Sequence, residues 1–279
     1  MWAYTHDKQV SVKYLYYVLK KNINTFREAA SGMGSLPQIS LKVTEDFVIP
    51  IPPLEVQREI VRILDNFTEL TAELTAELTA ELTARKKQFA YYRNYLYSLH
   101  DSAPKKKLIE MANISRGVRV VKKQLNPNGK YPVYQNSLAP MGYFDQKNHK
   151  AETTYIISAG AAGEIGFCNT DFWAADDCLV VTDLKGIRNK YIYYFLCTKQ
   201  DYIKSNVRKA SIPRLSRTVI ESIQIPLISE EEQDKIVSIL DRFDSLCNDL
   251  SSGLPAEIEA RQKQYEYYRD KLLTFKPLS

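Results

Sequence analysis

The sequence predicts an α+β protein: a globular, strand-bearing module joined to long helices that pair as an antiparallel coiled coil. Three observations predict it. Residues 54–99 hold no Gly or Pro and place apolar residues in steps of three and four. The chain repeats itself at a nearly constant offset. Between the two copies lie short β-rich runs separated by turn residues.

The long run carries its stripe on Ile60, Leu64, Phe67, Leu70, Leu74, Leu78, Leu82, Phe89, Tyr92, Leu96 and Leu99. Its middle is a tandem Thr-Ala-Glu-Leu repeat over residues 68–84. A helix of this length spans roughly 70 Å, and one oily stripe along it requires a partner. Four residues turn a helix by about 400°, so each added unit advances its end by ~6 Å and rotates it by ~40°. Two readings stand: a solvated helix lengthened by repeat slippage, or a ruler between two functional modules.

The internal repeat is direct. Ser35-Leu-Pro-Gln-Ile-Ser40 returns as Ser211-Ile-Pro-Arg-Leu-Ser216, and Ile60-Val-Arg-Ile-Leu-Asp-Asn-Phe67 as Ile236-Val-Ser-Ile-Leu-Asp-Arg-Phe243. Ala84-Arg-Lys-Lys-Gln-Phe-Ala-Tyr-Tyr-Arg93 matches Ala260-Arg-Gln-Lys-Gln-Tyr-Glu-Tyr-Tyr-Arg269, again at an offset of 176. Upstream, Lys13-Tyr-Leu-Tyr-Tyr-Val-Leu19 matches Lys190-Tyr-Ile-Tyr-Tyr-Phe-Leu196 at 177. Each copy is expected to run from a Tyr-rich helix (14–21; 191–199) through a basic loop to a strand ending in Ile-Pro (47–51; 223–226), then into a long helix. In the second copy Ser251-Ser-Gly-Leu-Pro255 replaces the repeat units, so that helix is expected in two pieces, about 230–250 and 255–274. Two related arms pack most simply on each other, related by a pseudo-twofold axis. The pairs Tyr91-Tyr92 and Tyr267-Tyr268 are expected in helix packing rather than in base stacking.

The middle of the chain reads as a mixed, mainly antiparallel sheet. Expected strands are 108–109, 117–121, 131–134, 154–158, 164–167 and 178–182. Ser158-Ala-Gly-Ala-Ala-Gly-Glu-Ile-Gly166 is glycine-rich but lacks the Gly-Lys-Ser/Thr ending of a phosphate loop, so a tight turn is the preferred reading. Residues 103–229 hold 19 Lys and Arg against 10 Asp and Glu, a charge of +9, which leaves −4 for the remainder of a chain whose net charge is +5. A basic module between acidic helical segments suits a polyanion.

Several classes are disfavoured. No apolar run approaches a membrane span of ~18–20 residues, and the first residues show no basic segment leading into an apolar one. Cys168, Cys178, Cys197 and Cys247 have no metal-ligand spacing and fit a reducing cytoplasm. His6, His100 and His149 are isolated from one another. Asp176-Asp177 has no nearby His or Lys to tune it, so a loop role is favoured. No catalytic constellation is found, no enzyme activity of its own is expected, and no cofactor is called for.

The polar content instead points to binding. Arg116, Arg119 and Lys122, then Gln135, Asn136 and Ser137, then Arg208, Lys209, Arg214 and Arg217, are candidate DNA contacts. Arg and Lys hold phosphates or read guanine, and Gln and Asn read adenine.

Some motifs carry a family likeness: the Thr-Ala-Glu-Leu units, Ile49-Pro50 followed by Gln57-Arg-Glu-Ile-Val-Arg-Ile-Leu-Asp65, and Gly253-Leu-Pro-Ala-Glu-Ile-Glu-Ala-Arg261 with Tyr267-Tyr-Arg269. Tyr131-Pro-Val-Tyr-Gln135, Gly163-Glu-Ile-Gly166 and Phe172-Trp173 add to it. Over nearly its whole length the chain resembles a specificity (S) subunit of type I restriction-modification systems. The resemblance implies a remnant of a first target recognition domain at 1–53, a helical spacer at 54–99, a complete target recognition domain at 103–229, and a second helical conserved region at 230–275 with its break near 251–255. It also implies a cytoplasmic, non-catalytic subunit whose partners are double-stranded DNA, methyltransferase subunits and a restriction subunit. With one complete recognition domain, a homodimer is expected to restore two half-sites. The competing expectation is a coiled-coil adaptor with no base preference; a free-standing methyltransferase lacks its cofactor pocket.

Overall fold

The computed structural model describes residues 8–30, 38–248 and 253–275. In chain order its helices are α1 (Val12–Lys21), α2 (Ile23–Glu28), α3 (Leu41–Glu45), α4 (Leu54–Ser98), α5 (Leu108–Met111), α6 (Asn189–Thr198), α7 (Gln200–Ser205), α8 (Arg217–Glu221), α9 (Glu230–Asn248) and α10 (Leu254–Leu272). Its strands are β1 (Lys105–Lys107), β2 (Asn113–Arg116), β3 (Tyr131–Tyr134), β4 (Gly142–Phe144), β5 (Thr153–Ile157), β6 (Ile165–Cys168), β7 (Trp173–Ala174), β8 (Cys178–Thr182) and β9 (Gln224–Pro226). The chain forms two compact units, residues 1–84 with 247–279, and residues 85–246.

The repeat-bearing helix is continuous from Leu54 to Ser98, as the absence of Gly and Pro predicts. In the first unit its early turns pack against α1 and the end of α10. Tyr14, Tyr17 and Val18 close over Ile60, Leu64 and Leu273. Phe67 meets Tyr268 at 5.9 Å, and the Thr68 hydroxyl lies 3.1 Å from that of Tyr265. These pairings run antiparallel, later residues of α4 meeting earlier ones of α10, as the groove lined by Leu74 and Arg261 shows. Pro255 stands in the first turn of α10, where its missing N–H costs no bond. The expected break at 251–255 lies partly outside the described residues, since α9 ends at Asn248 and α10 begins at Leu254.

The second unit builds the same frame and adds sheets to it. The last turns of α4 pair antiparallel with α9, where Tyr92 stacks on Phe243 at 5.6 Å and His100 approaches Glu232 at 3.8 Å. Helix α6 takes the place that α1 has in the first unit. The main sheet has strand order β2-β8-β5-β6, antiparallel throughout. Every residue of β5 is buried. One face of the sheet packs Ile156, Leu179 and Val181 against α6; the other packs Tyr155, Ile157 and Val180 against Phe172. A three-stranded sheet, β4-β3-β7, joins an antiparallel pair to a parallel one.

The expected strands meet this structure unevenly. Residues 108–109 begin α5 instead, where the Glu110 carboxylate accepts from the Lys107 N–H at the helix start. Residues 117–121 form no strand: Gly117 and Val118 each donate one backbone bond, to Cys178 and Ala174, and no ladder follows. Residues 47–51 form no strand, whereas the equivalent β9 pairs antiparallel with β1. A strand needs a partner, and among the described residues of the first unit none lies alongside. The glycine-rich run is the β5–β6 hairpin turn, with Ile156 opposite Ile165.

Candidate nucleic-acid interface

One end of the antiparallel sheet gathers five loops. Strand β2 ends there at Arg116, β5 ends at Ile157, and β6 and β8 begin there. Each loop is tied to its neighbours through the backbone. The Gly117 N–H donates to the Cys178 carbonyl at 3.1 Å, and the Ala175 N–H to the Tyr134 carbonyl at 2.9 Å. The Ala161 N–H donates to the Asn136 carbonyl at 2.9 Å. Ser158 donates through both its N–H, at 2.7 Å, and its hydroxyl, at 2.9 Å, to the Asp177 carbonyl. The Leu215 N–H donates to the Ser158 carbonyl at 2.8 Å, and Arg208 and Arg214 exchange backbone bonds of 2.8 and 3.1 Å.

Two glycines make this convergence possible. A Cβ on Gly117 would stand 2.2 Å from the Ala174 carbonyl oxygen. Gly160 has φ +80°, and a Cβ there would lie 2.8 Å from the Asn136 oxygen. Behind the loops, Tyr134, Tyr155 and Phe172 form an aromatic cluster with ring centroids 4.9 to 5.9 Å apart. Burial pushes the Cys178 thiol up to about 12, so it stays protonated and donates to the carbonyls of Tyr134 and Gln135. Burial also lowers His149, which rests its ring on Phe172, so the imidazole is neutral near pH 7 and adds no cation to the patch.

The sequence-selected residues divide by placement. Arg116, Gln135, Asn136, Arg208 and Arg214 are carried on the converging loops. Lys209 stands beside Arg208 in the same hairpin, and Ser137 turns its hydroxyl onto the Ala139 carbonyl at 3.0 Å. Arg119 and Lys122 sit farther along, where Val120 packs on Val133 of the three-stranded sheet. Arg217 is engaged: its guanidinium pairs with Glu221 at 2.9 Å and reaches the Ile114 carbonyl at 3.5 Å. Among the described residues, Arg116, Arg119, Lys122, Arg208, Lys209 and Arg214 are exposed and make no ion pair. Such unpaired cations, with amide side chains between them, can bind phosphates and base edges.

Sequence reasoning passed over several residues that hold the frame of each unit. Gln57 and Gln233 are buried equivalents. Each accepts from a backbone N–H, of Ser11 and of Arg188, at 2.8 Å. Each donates to two carbonyls, of Gln9 and Pro52 in one case and Gly186 and Ile228 in the other. Their shared place in the repeat was the available signal. Tyr97 is also buried, its hydroxyl donating to the Tyr191 carbonyl at 2.7 Å. The paired tyrosines split: Tyr92 and Tyr268 pack on phenylalanines, while Tyr91 and Tyr267 are 66% and 61% exposed.

Comparison with known proteins is consistent along the chain. The family described as "Type I restriction modification DNA specificity domain" matches residues 2–84 and 102–260. A putative type I specificity subunit of Mycoplasma pneumoniae is 33% identical over 254 residues, covering 86% of this chain and 91% of that protein. The specificity subunit of an Escherichia coli type I restriction enzyme is 34% identical over 301 residues, covering 96% of this chain and 72% of that protein. In fold, the chain matches the crystal structure of the S subunit of a type I restriction-modification system from M. genitalium. The TM-score is 0.64 at 21% identity, over 96% of this chain and 74% of that one. Among the described residues, no helix is long and apolar enough to cross a membrane.

Proposed function

This chain belongs to the type I restriction-modification DNA specificity family, and from that premise we propose that residues 103–229 are a target recognition domain that reads one half of a split duplex target. The observation that carries the reading is the set of unpaired cations and amides on loops at one sheet end, Arg116, Gln135, Asn136, Arg208 and Arg214. The arginines hold phosphates or the O6 and N7 of guanine, and the two amides suit adenine. Arg119, Lys122, Ser137 and Lys209 extend the contact along the backbone, and Arg217 reaches DNA only by exchanging its Glu221 pair. The adaptor reading is set aside on the family membership.

In this proposal the protein performs no catalysis of its own and works in the cytoplasm. Its helical regions, the spacer at 54–99 and the segment 230–275, dock methyltransferase subunits, which a restriction subunit then joins. In this reading a second copy of the chain supplies the other half-site, beside the one read by residues 103–229. Selection of random duplexes on the full chain tests the central claim. A recovered motif is the expected result, and recovery of unbiased sequence overturns it. Arg214→Ala should weaken binding to all duplexes alike and reduce the slope of log affinity against log salt by about 0.9. Mass measurement with the methyltransferase subunit should give two specificity chains per complex; a single chain overturns the dimer.

A further inference from the structure

Resting on the DNA-reading proposal, we propose that Asp176 is a specificity-determining residue: its carboxylate accepts a hydrogen bond from the exocyclic amine of a cytosine in the major groove. It thereby selects one C·G pair of the half-site.

Asp176 stands in the turn between β7 and β8, at the sheet end where the loops meet. The residues on either side of it are clamped. Ala175 donates its N–H to the Tyr134 carbonyl, and the Asp177 carbonyl takes both bonds from Ser158. Gly117 brings the end of β2 against the carbonyls of Ala174 and Ala175. The backbone of Asp176 is thus fixed between the loop that follows Arg116 and the loops of Asn136 and Ser158. No hydrogen bond or ion pair holds its side chain among the described residues. Oδ1 is shielded from solvent and has no partner, while the residue as a whole is only half-buried, so the carboxylate is reached from its open side. A shielded carboxylate oxygen without a donor is uncommon in a folded protein and calls for an explanation. Asp177 offers the contrast, since its carbonyl holds the hairpin together and its place is structural.

The chemistry selects the ligand group. An ionised carboxylate only accepts. The donors presented in the major groove are the N4 amine of cytosine and the N6 amine of adenine. Beside the adenine amine stands N7, an acceptor that repels a carboxylate, whereas the cytosine edge has no such acceptor. Guanine O6 and N7, thymine O4 and every phosphate repel it too. A carboxylate amid cations therefore weakens binding to random DNA while discriminating at one base pair.

The test compares selected motifs from random duplexes for the wild-type full chain and for Asp176→Asn. Asn both donates and accepts, so the variant should tolerate guanine or thymine at one position where the wild type selects cytosine. The preference there should fall by about tenfold or more, while the other positions and the salt-dependent binding of random duplexes persist. A wild-type motif that the variant reproduces at every position overturns this inference and leaves the DNA-reading proposal intact. A wild type that selects no motif fails that earlier proposal instead. If Asp176→Asn does not fold, Asp176→Glu keeps the charge and moves the oxygens outward. It must then alter the same single position, and an unaltered motif overturns the inference.

Discussion

The two units share a frame and differ in what the frame carries. Each buries a glutamine amide under the start of its long helix with the same three bonds, to Ser11, Gln9 and Pro52 or to Arg188, Gly186 and Ile228. In each, a tyrosine hydroxyl donates to an aspartate at 2.6 Å, Tyr17 to Asp65 and Tyr194 to Asp241, and a lysine joins the same carboxylate. Phe67 with Tyr268 is repeated as Phe243 with Tyr92. Among the described residues only the second unit carries a four-stranded sheet, and the helix repeated in both units responds. Ile192 of α6 is fully buried by it, while the equivalent Leu15 of α1 is only half-buried. Val48 is 89% exposed where its counterpart Gln224 lies in a paired strand. The repeated element is therefore a helical clamp, and among the described residues the candidate reader stands with its second copy.

The strongest way to break this equivalence is to remove matched core residues. Leu64 and Leu240 are fully buried at corresponding places in the two clamps. Leu→Ala at either should cost about 2–5 kcal/mol. Leu240→Ala should lower the melting of the second unit, read by Trp173 fluorescence in a Trp2→Phe background, and weaken DNA binding with it. Leu64→Ala should leave the Trp173 transition and the half-site reading in place. Equal loss of DNA binding in both variants would contradict the separation.

A smaller effect sharpens the comparison at the polar anchor. Gln57→Ala and Gln233→Ala each strand one backbone N–H and two carbonyls. Each should destabilise its own unit by about 1–3 kcal/mol, with the cost tempered where water reaches the freed groups. Chemical denaturation of the two variants should give similar losses, since the bonds match in number and in partner type. A loss confined to one would show that the two anchors are not equivalent.

The frame was legible in the sequence because its signals are local and doubled. The stripe from Ile60 to Leu96 has helical spacing, and the constant offset aligns Gln57 with Gln233 and Asp65 with Asp241. The sheet was less legible. Strands β4 and β7 have three and two residues, and their pairing is decided by neighbours distant in sequence. Residues 117–121 look like a strand by composition, yet the close approach of Gly117 to Ala174 holds them as an edge loop. For the candidate site, residue type pointed to Arg116, Gln135, Asn136, Arg208 and Arg214, but nothing local shows that their loops meet. The engagement of Arg217 was visible in principle, because Glu221 follows it by one helical turn.

The smallest expected effect sharpens the comparison through a group in the sheet-bearing part of the second unit. His149 lies against Phe172 in the sheet-bearing part of the second unit, and burial lowers it below its ordinary value of 6.5. The unfolded chain then binds more protons than the folded one as pH falls below about 6.5, so acid destabilises this unit; above that value the group contributes no pH dependence. Lys147 and Asp171, which pair close by, keep their charges through this window: the pairing raises the lysine and lowers the aspartate. His149→Gln retains a neutral polar side chain and removes the titration. Between pH 7.5 and 5.5 the Trp173 transition should fall further in the wild type than in the variant, by a few degrees at most because the imidazole is only half-buried. Parallel pH profiles for the two proteins would assign the acid sensitivity of this unit to other groups.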